Sequence, residues 1–166
     1  MMCRVGKLLI NIGQLLRSGC DKPEAEGMIR GVQSFMAAAG DTACYALCIV
    51  WIAEIENNRD IDPVRAMLDG IREGYIRFNW DDMSDGWNFY IDWPAQFLRM
   101  MTGKRWDIRH DAHDYRKRLG EHVVQRWERE TTDRTFSHFR LPDWDPLINS
   151  QTVRYGRIVS TRVFSQ

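Results

Sequence analysis

Three side chains that could carry out nucleophilic chemistry lie in an informative order along the chain. Cys44 comes just after Asp41 and Thr42, either of which could cap a helix, while His138 and Asp145 lie near the other end. A thiol is a weak nucleophile until its proton is removed, and a helix N-terminus or a facing imidazole can assist that removal. The order is therefore compatible with a thiol nucleophile, a base and an orienting acid.

The position of the cysteine would favour its ionisation. If Asp41 is the cap, Cys44 is the third residue of a helix that continues to about Asn57. Its sulfur would then lie near free backbone N–H groups and the positive end of the helix dipole. The backbone N–H of Cys44 could also face a developing oxyanion. The helix is apolar nearly all round, which predicts that it is the central buried helix.

A hairpin would bring the histidine and the acid together. A two-residue turn at Pro142-Asp143 would place Leu141 opposite Trp144. His138 and Asp145 would then be diagonal neighbours on one face, close enough for the carboxylate to orient the imidazole.

Ordinary structural roles compete with this interpretation. A cysteine in an apolar helix usually packs in the core, and a histidine in a strand is usually structural. Arg140 would lie directly across the hairpin from Asp145 and could capture it in a salt bridge. Spacing alone leaves both interpretations open.

Several segments resemble one family. Gly-Asp-Thr-Ala-Cys-Tyr-Ala-Leu-Cys at 40–48 resembles the nucleophile segment of a poorly characterised family found in spirochaetes and bacteriophages, whose members commonly read Gly-Cys-Tyr there. Ser-His-Phe at 137–139 and Trp-Asp-Pro-Leu at 144–147 resemble its second signature. The tail at 150–164 resembles its third, so the match covers roughly 28–164.

That family is similar in turn to the papain-like superfamily, particularly the C39-type peptidases that process bacteriocin leaders. The resemblance implies a papain-like fold with Cys44 as nucleophile, His138 as general base and Asp145 as orienting acid. Two positions depart from the pattern. The oxyanion glutamine that usually precedes the cysteine closely has only Gln33 as a candidate, and a polar role on a helix face suits that residue better. Ala43 replaces the glycine common before the nucleophile.

Periodicity predicts the fold class. Apolar residues recur with helical spacing in the first part of the chain, and alternation typical of strands follows residue 104. The predicted helices cover 24–39, 42–57, 62–74 and 92–103, and the predicted strands cover 105–109, 122–128, 135–141, 144–147 and 157–164. Helices followed by strands indicate an α+β domain in which helices pack on an antiparallel sheet. We expect this domain over 28–166, with 1–27 as an N-terminal extension that contains a short helix over 5–17 and could lie outside it.

Composition limits the partners. The 166 residues contain 23 Lys and Arg and 23 Asp and Glu, so no net charge favours nucleic acid or an anionic membrane. The longest apolar stretch, 44–53, is too short to span a bilayer. The four cysteines do not suggest a disulfide scaffold, and reduced thiols in a soluble cytoplasmic protein are expected. We expect no cofactor.

Two further groups of residues have chemical and structural interpretations. His110 and His113 could share a helix face and, with Asp107, Asp111 and Asp114, bind zinc or manganese, although an exposed polar loop is the preferred interpretation. The aromatic residues within 80–93 could line a substrate groove or belong to the core.

The expected function is thiol-dependent hydrolysis of an amide or related acyl bond. The substrate could be a peptide, a leader sequence or a peptidoglycan stem. The alternative is an inactive papain-like scaffold that serves as a binding or assembly protein, associated with a prophage.

Overall fold

The computed structural model describes residues 43–78, 89–146 and 150–166 as a mixed α+β arrangement. The helices are α1 (Cys44–Asn57), α2 (Pro63–Arg72), α3 (Pro94–Thr102) and α4 (Gln151–Tyr155). The strands are β1 (Ile76–Phe78), β2 (Phe89–Ile91), β3 (Asp107–Asp111), β4 (His122–Glu130), β5 (Thr135–Arg140) and β6 (Arg157–Ser165). The expected extension over 1–27, the expected helix over 24–39 and Gln33 lie outside these residues.

Helix α1 forms the centre of the hydrophobic core, as its sequence predicts. Its buried side chains occur on every side of the helix: Cys44, Ala46, Cys48, Ile49, Val50, Ile52 and Ala53. The expected cap at Asp41 or Thr42 was wrong, because Ala43 occupies the N-cap position and offers no capping side chain. Asn58 ends the helix in the left-handed conformation that asparagine tolerates.

Helices α2 and α3 begin where the sequence places them. The Asp62 carboxylate accepts hydrogen bonds from the N–H groups of Val64 and Arg65, and Pro63 occupies the first turn. Pro94 likewise opens α3, and Gly103 ends it with a positive φ of 71°. None of the helices in the described ranges is both long and apolar enough to span a bilayer.

The main sheet is antiparallel, with the strand order β3-β6-β4-β5. Three of the expected strands appear close to their predicted positions, as β4, β5 and β6. The expected strand at 105–109 is displaced to Asp107–Asp111. The expected strand at 144–147 was wrong as an extended element, because only an isolated bridge joins Trp144 to Leu141.

Two short elements escaped the sequence analysis. The hairpin of β1 and β2 falls within an aromatic stretch that lacks clear alternation, and α4 is only five residues long. Within the aromatic group, Phe89 is buried against Phe78, with ring centroids 4.7 Å apart, and therefore belongs to the core. Tyr90 and Trp93 are exposed.

Three contacts fix α1 on the sheet. The Tyr45 ring packs on Phe139 of β5 with centroids 4.8 Å apart, and the Trp51 ring stacks on Trp144 at 4.7 Å. At the other end of the helix, Glu56 Oε1 lies 2.7 Å from His122 Nε2 on β4. Helix α1 therefore begins beside β5 and ends beside the first residue of β4.

The loop between β3 and β4 is held by one carboxylate. Glu121 Oε2 accepts hydrogen bonds from the Tyr115 hydroxyl at 2.6 Å and the Arg118 N–H at 2.9 Å, while Oε1 accepts from Arg109 at 3.0 Å. These donors, with the Tyr115 hydroxyl first, lower the pKa of Glu121 to about 2.

We expect Tyr115→Phe to reduce stability in a pH-dependent way. Because the Glu121 pKa is depressed, its contribution is present above the unfolded value of about 4.3 and is lost as the pH falls toward about 2. Removing the hydroxyl raises the folded pKa and shrinks that contribution. The melting temperatures of the variant and the unmodified protein should therefore differ near neutral pH and converge near the lower value.

The exposed Tyr155 provides the control, since Tyr155→Phe should leave the melting temperature unchanged throughout. If the difference in melting temperature between Tyr115→Phe and the unmodified protein stays constant with pH, the loss of stability comes from packing alone.

Candidate functional site

Cys44 is the first residue of α1 rather than the third, which corrects the expectation from an Asp41 cap. It remains in the first turn, where backbone N–H groups have no partner within the helix. Its side chain is 8% exposed. Both Cys44 and Cys48, one turn along the helix, are free thiols.

The environment of the Cys44 sulfur acts on its pKa in two directions. Burial is the largest influence and raises the pKa. Backbone N–H groups of Phe139, Tyr45 and Cys44 itself oppose the rise, while the charge of Asp145 adds to it. The net effect is an increase, so the thiol is neutral in this arrangement. The N-terminal position therefore does not by itself produce a thiolate.

His138 and Asp145 form a close pair. His138 Nε2 lies 2.7 Å from Asp145 Oδ1, and the His138 side chain is almost completely buried. The expected hairpin pairing is confirmed, because the N–H of Leu141 donates to Trp144 O at 2.9 Å and the reverse bond is 3.3 Å long. The turn thus places the carboxylate beside the imidazole, as the sequence predicts.

The Arg140 guanidinium is directed toward backbone oxygens of the turn. Its Nε donates to Leu141 O at 2.9 Å and its Nη2 donates to Pro142 O at 2.8 Å. The side chain that could have captured Asp145 therefore braces the hairpin.

The three predicted site residues meet in one region, but the thiol and the imidazole do not join. Cys44 faces the backbone N–H of Phe139, the residue after His138. No hydrogen bond within the described residues links the Cys44 sulfur to either ring nitrogen of His138. The geometry explains this, because successive strand residues point in opposite directions and Phe139 directs its ring at α1.

The pairing with Asp145 decides which imidazole nitrogen could act as a base. In the neutral ring, Nε2 carries the proton and donates a hydrogen bond to the carboxylate. The lone pair then lies on Nδ1. A carboxylate held at this distance also stabilises the imidazolium that forms when Nδ1 takes up a proton.

A second histidine–carboxylate pair lies at the other end of α1. His122 Nε2 and Lys104 both contact Glu56, with Lys104 Nζ 2.5 Å from Oε2. Although burial opposes the change, these hydrogen bonds lower the pKa of Glu56. The pair is about 18 Å from Cys44 along the helix axis, since a helix rises roughly 1.5 Å per residue. The His122–Glu56 pair is a histidine–carboxylate pair like His138–Asp145, but it lies far from the Cys44 thiol.

The proposed metal ligands are dispersed. His110 lies on β3 and His113 lies in the turn that follows, and both are exposed, which agrees with the preferred interpretation and not with a shared helix face. Across the described ranges, no group of three or more His, Cys, Asp or Glu side chains could hold a metal ion.

Two contributors to the site were not singled out by the sequence analysis. Phe139 supplies a backbone N–H to the sulfur, and Trp144 holds the hairpin by stacking on Trp51 of α1. The only available signal was their position beside His138 and Asp145 within the matched signatures.

Comparisons of the chain with protein-family models, curated proteins and solved structures found no match.

Proposed function

We propose that this chain is a thiol-dependent hydrolase of papain-like architecture that cleaves an amide or related acyl bond. The supporting observation is the 2.7 Å contact between His138 and Asp145. His138 lies on β5, and the backbone N–H of the next residue, Phe139, faces the Cys44 thiol at the start of α1. Peptides, leader sequences and peptidoglycan stems are the substrate classes considered.

The reaction begins with a neutral thiol. In the proposed reaction His138 and Asp145 move together toward the sulfur, and Nδ1 of His138 removes the thiol proton as Cys44 attacks the carbonyl carbon. The carbonyl π electrons move to oxygen, and the Cys44 backbone N–H stabilises that oxyanion. Asp145 keeps Nε2 protonated and stabilises the imidazolium.

Two further stages complete the reaction: release of the amine and hydrolysis of the thioester. The oxyanion re-forms the carbonyl, the bond to the leaving amine breaks, and His138 returns its proton to the nitrogen. Water attacks the resulting thioester while Nδ1 accepts a water proton. The carbon–sulfur bond breaks, a carboxylic acid leaves, and the proton returns to sulfur. No redox partner is needed.

A binding or assembly scaffold is the second candidate, and burial favours it. Cys44 is 8% exposed and His138 is 2% exposed. Burial also raises the pKa of the Cys44 thiol, which suits a side chain that packs better than one that reacts. A scaffold would retain the hydrogen-bonded pair for its contribution to the hairpin.

The test measures how fast iodoacetamide alkylates Cys44, followed by tandem mass spectrometry to separate Cys44 from Cys48. If His138 serves as base for this thiol, His138→Gln should slow alkylation of Cys44 at neutral pH by roughly tenfold or more.

His122→Gln is the matched control, because it disrupts an equivalent 2.7 Å pair at the far end of α1. It should leave alkylation of Cys44 unchanged. Equal rates in the unmodified protein and His138→Gln would disconnect the imidazole from the thiol and favour the scaffold.

A further inference from the structure

Arg162 of β6 lies against two aromatic rings that are in contact with each other. Its guanidinium carbon is 4.9 Å from the centroid of the Tyr45 ring and 4.5 Å from that of Phe139. The two rings are themselves in contact at 4.8 Å. We refer to Tyr45, Phe139 and Arg162 as the aromatic clamp.

Polar atoms of the clamp lack partners among the described residues. Arg162 Nη1 and the Tyr45 hydroxyl oxygen are both buried and form no hydrogen bond with any residue of the described ranges. Burial lowers the pKa of Arg162 and raises that of Tyr45. Buried donors without partners destabilise the folded state, and the effect is greater for a charged group.

Two other arginines of the sheet have carboxylate partners. Arg126 lies 2.5 Å from Glu128, and Arg109 lies 3.0 Å from Glu121. Arg162 has no such ion pair with any residue that the structure describes. The cation–π contacts compensate for only part of the desolvation of a guanidinium. A bound anion would supply the rest of the compensation for this desolvation.

The clamp lies beside the candidate nucleophile. Tyr45 follows Cys44 in α1, and the backbone N–H of Phe139 faces the Cys44 sulfur. A carboxylate bound to the free guanidinium N–H and the Tyr45 hydroxyl would therefore be held close to the reacting thiol.

We propose that Arg162 and Tyr45 bind a carboxylate of the substrate, so that the preferred substrates are acyl compounds bearing a free carboxylate near the scissile bond. This inference rests on the hydrolase proposed above. Because the two polar ends are covered, binding requires the Tyr45 or Phe139 ring to rotate away from the guanidinium. Arg162 is then a specificity-determining residue, and charge-assisted hydrogen bonds give it selectivity for carboxylates.

Two alkylating reagents test this without knowledge of the natural substrate. Iodoacetate carries a carboxylate and iodoacetamide does not, while both alkylate thiols by displacing iodide. We divide the rate ratio of iodoacetate to iodoacetamide at Cys44 by the same ratio for free cysteine. This normalised ratio should be roughly ten or more. That factor corresponds to a charged hydrogen bond.

The preference should disappear in Arg162→Met, and because it is a ratio of two rates at the same thiol, any change in the iodoacetamide rate cancels. Tyr45→Phe, which keeps the ring and removes only the hydroxyl, should reduce the preference several-fold and tests the same site if Arg162→Met fails to fold. Arg157→Met is the matched control, because it removes a positive charge of β6 that Glu130, 3.6 Å away, already balances. It should keep the preference.

Each remaining outcome overturns a defined claim. A normalised ratio of one in the unmodified protein, with rapid iodoacetamide labelling, overturns the carboxylate site and leaves the hydrolase standing. Equal loss of the preference in Arg157→Met also overturns the site, because the effect would then be general surface charge. Negligible labelling by both reagents overturns the accessible nucleophile and the inference with it.

Discussion

Cys44→Ser should abolish hydrolysis while changing the melting temperature only slightly. A hydroxyl is a far weaker nucleophile than a thiol when a single imidazole provides the base, so turnover should fall below detection. The fold should tolerate the change, because the backbone N–H groups that face the sulfur can donate to a serine oxygen. The measurement is release of new amino groups from peptide and peptidoglycan-stem substrates, with thermal melting of both proteins.

Cys48→Ser is the comparison that separates chemistry from packing. Cys48 is fully buried one turn further along α1, and burial raises the pKa of its thiol well above the usual value. A hydroxyl placed there should cost about 1–3 kcal/mol of stability but spare the activity. Unchanged turnover in Cys44→Ser, or a greater stability loss there than at Cys48, would mark Cys44 as a packing residue.

Gly156→Ala should destabilise the protein severely. Gly156 joins α4 to β6, and a Cβ atom there would lie 2.2 Å from the carbonyl oxygen of Thr152 and 2.4 Å from that of Glu128. Both obstacles are backbone atoms, which cannot move aside as a side-chain tip can. We expect a loss of at least about 3 kcal/mol, visible as a large drop in melting temperature or as insoluble expression.

The control for this substitution is the preceding residue. Tyr155 is 62% exposed, so Tyr155→Ala should leave the melting temperature close to that of the unmodified protein. A Gly156→Ala protein that melts within a few degrees of the unmodified one would mean that α4 and β4 can separate at little cost. Close packing against backbone would then not explain why a glycine occupies position 156.

Local sequence signals predicted several parts of the site. The turn at Pro142-Asp143 brings His138 and Asp145 together because only a few residues separate them, and a tight turn leaves few alternative pairings. The Asp62 cap and Pro63 set the start of α2 for the same reason. The α1 cap was misplaced because a hydrophobic pattern does not locate a helix end to better than one or two residues.

Long-range pairings were not readable from the chain. Glu56 meets His122 and Arg162 enters the clamp only after α1 packs on the sheet. Hydrophobic burial drives that packing, and because it is non-directional it does not reveal which polar side chains will become neighbours. The β1–β2 hairpin was missed because its three-residue strands are too short for a reliable alternation pattern.

The sequence by itself determined the α+β class, the buried helix with Cys44 in its first turn, and the hairpin that pairs His138 with Asp145. These features depend on residue types and on neighbours close in the chain. Only the tertiary structure decided that α1 begins beside β5, that the thiol faces the Phe139 backbone while the imidazole points elsewhere, and that burial keeps the thiol neutral. The reason is that burial and the orientation of distant side chains depend on how the whole chain packs.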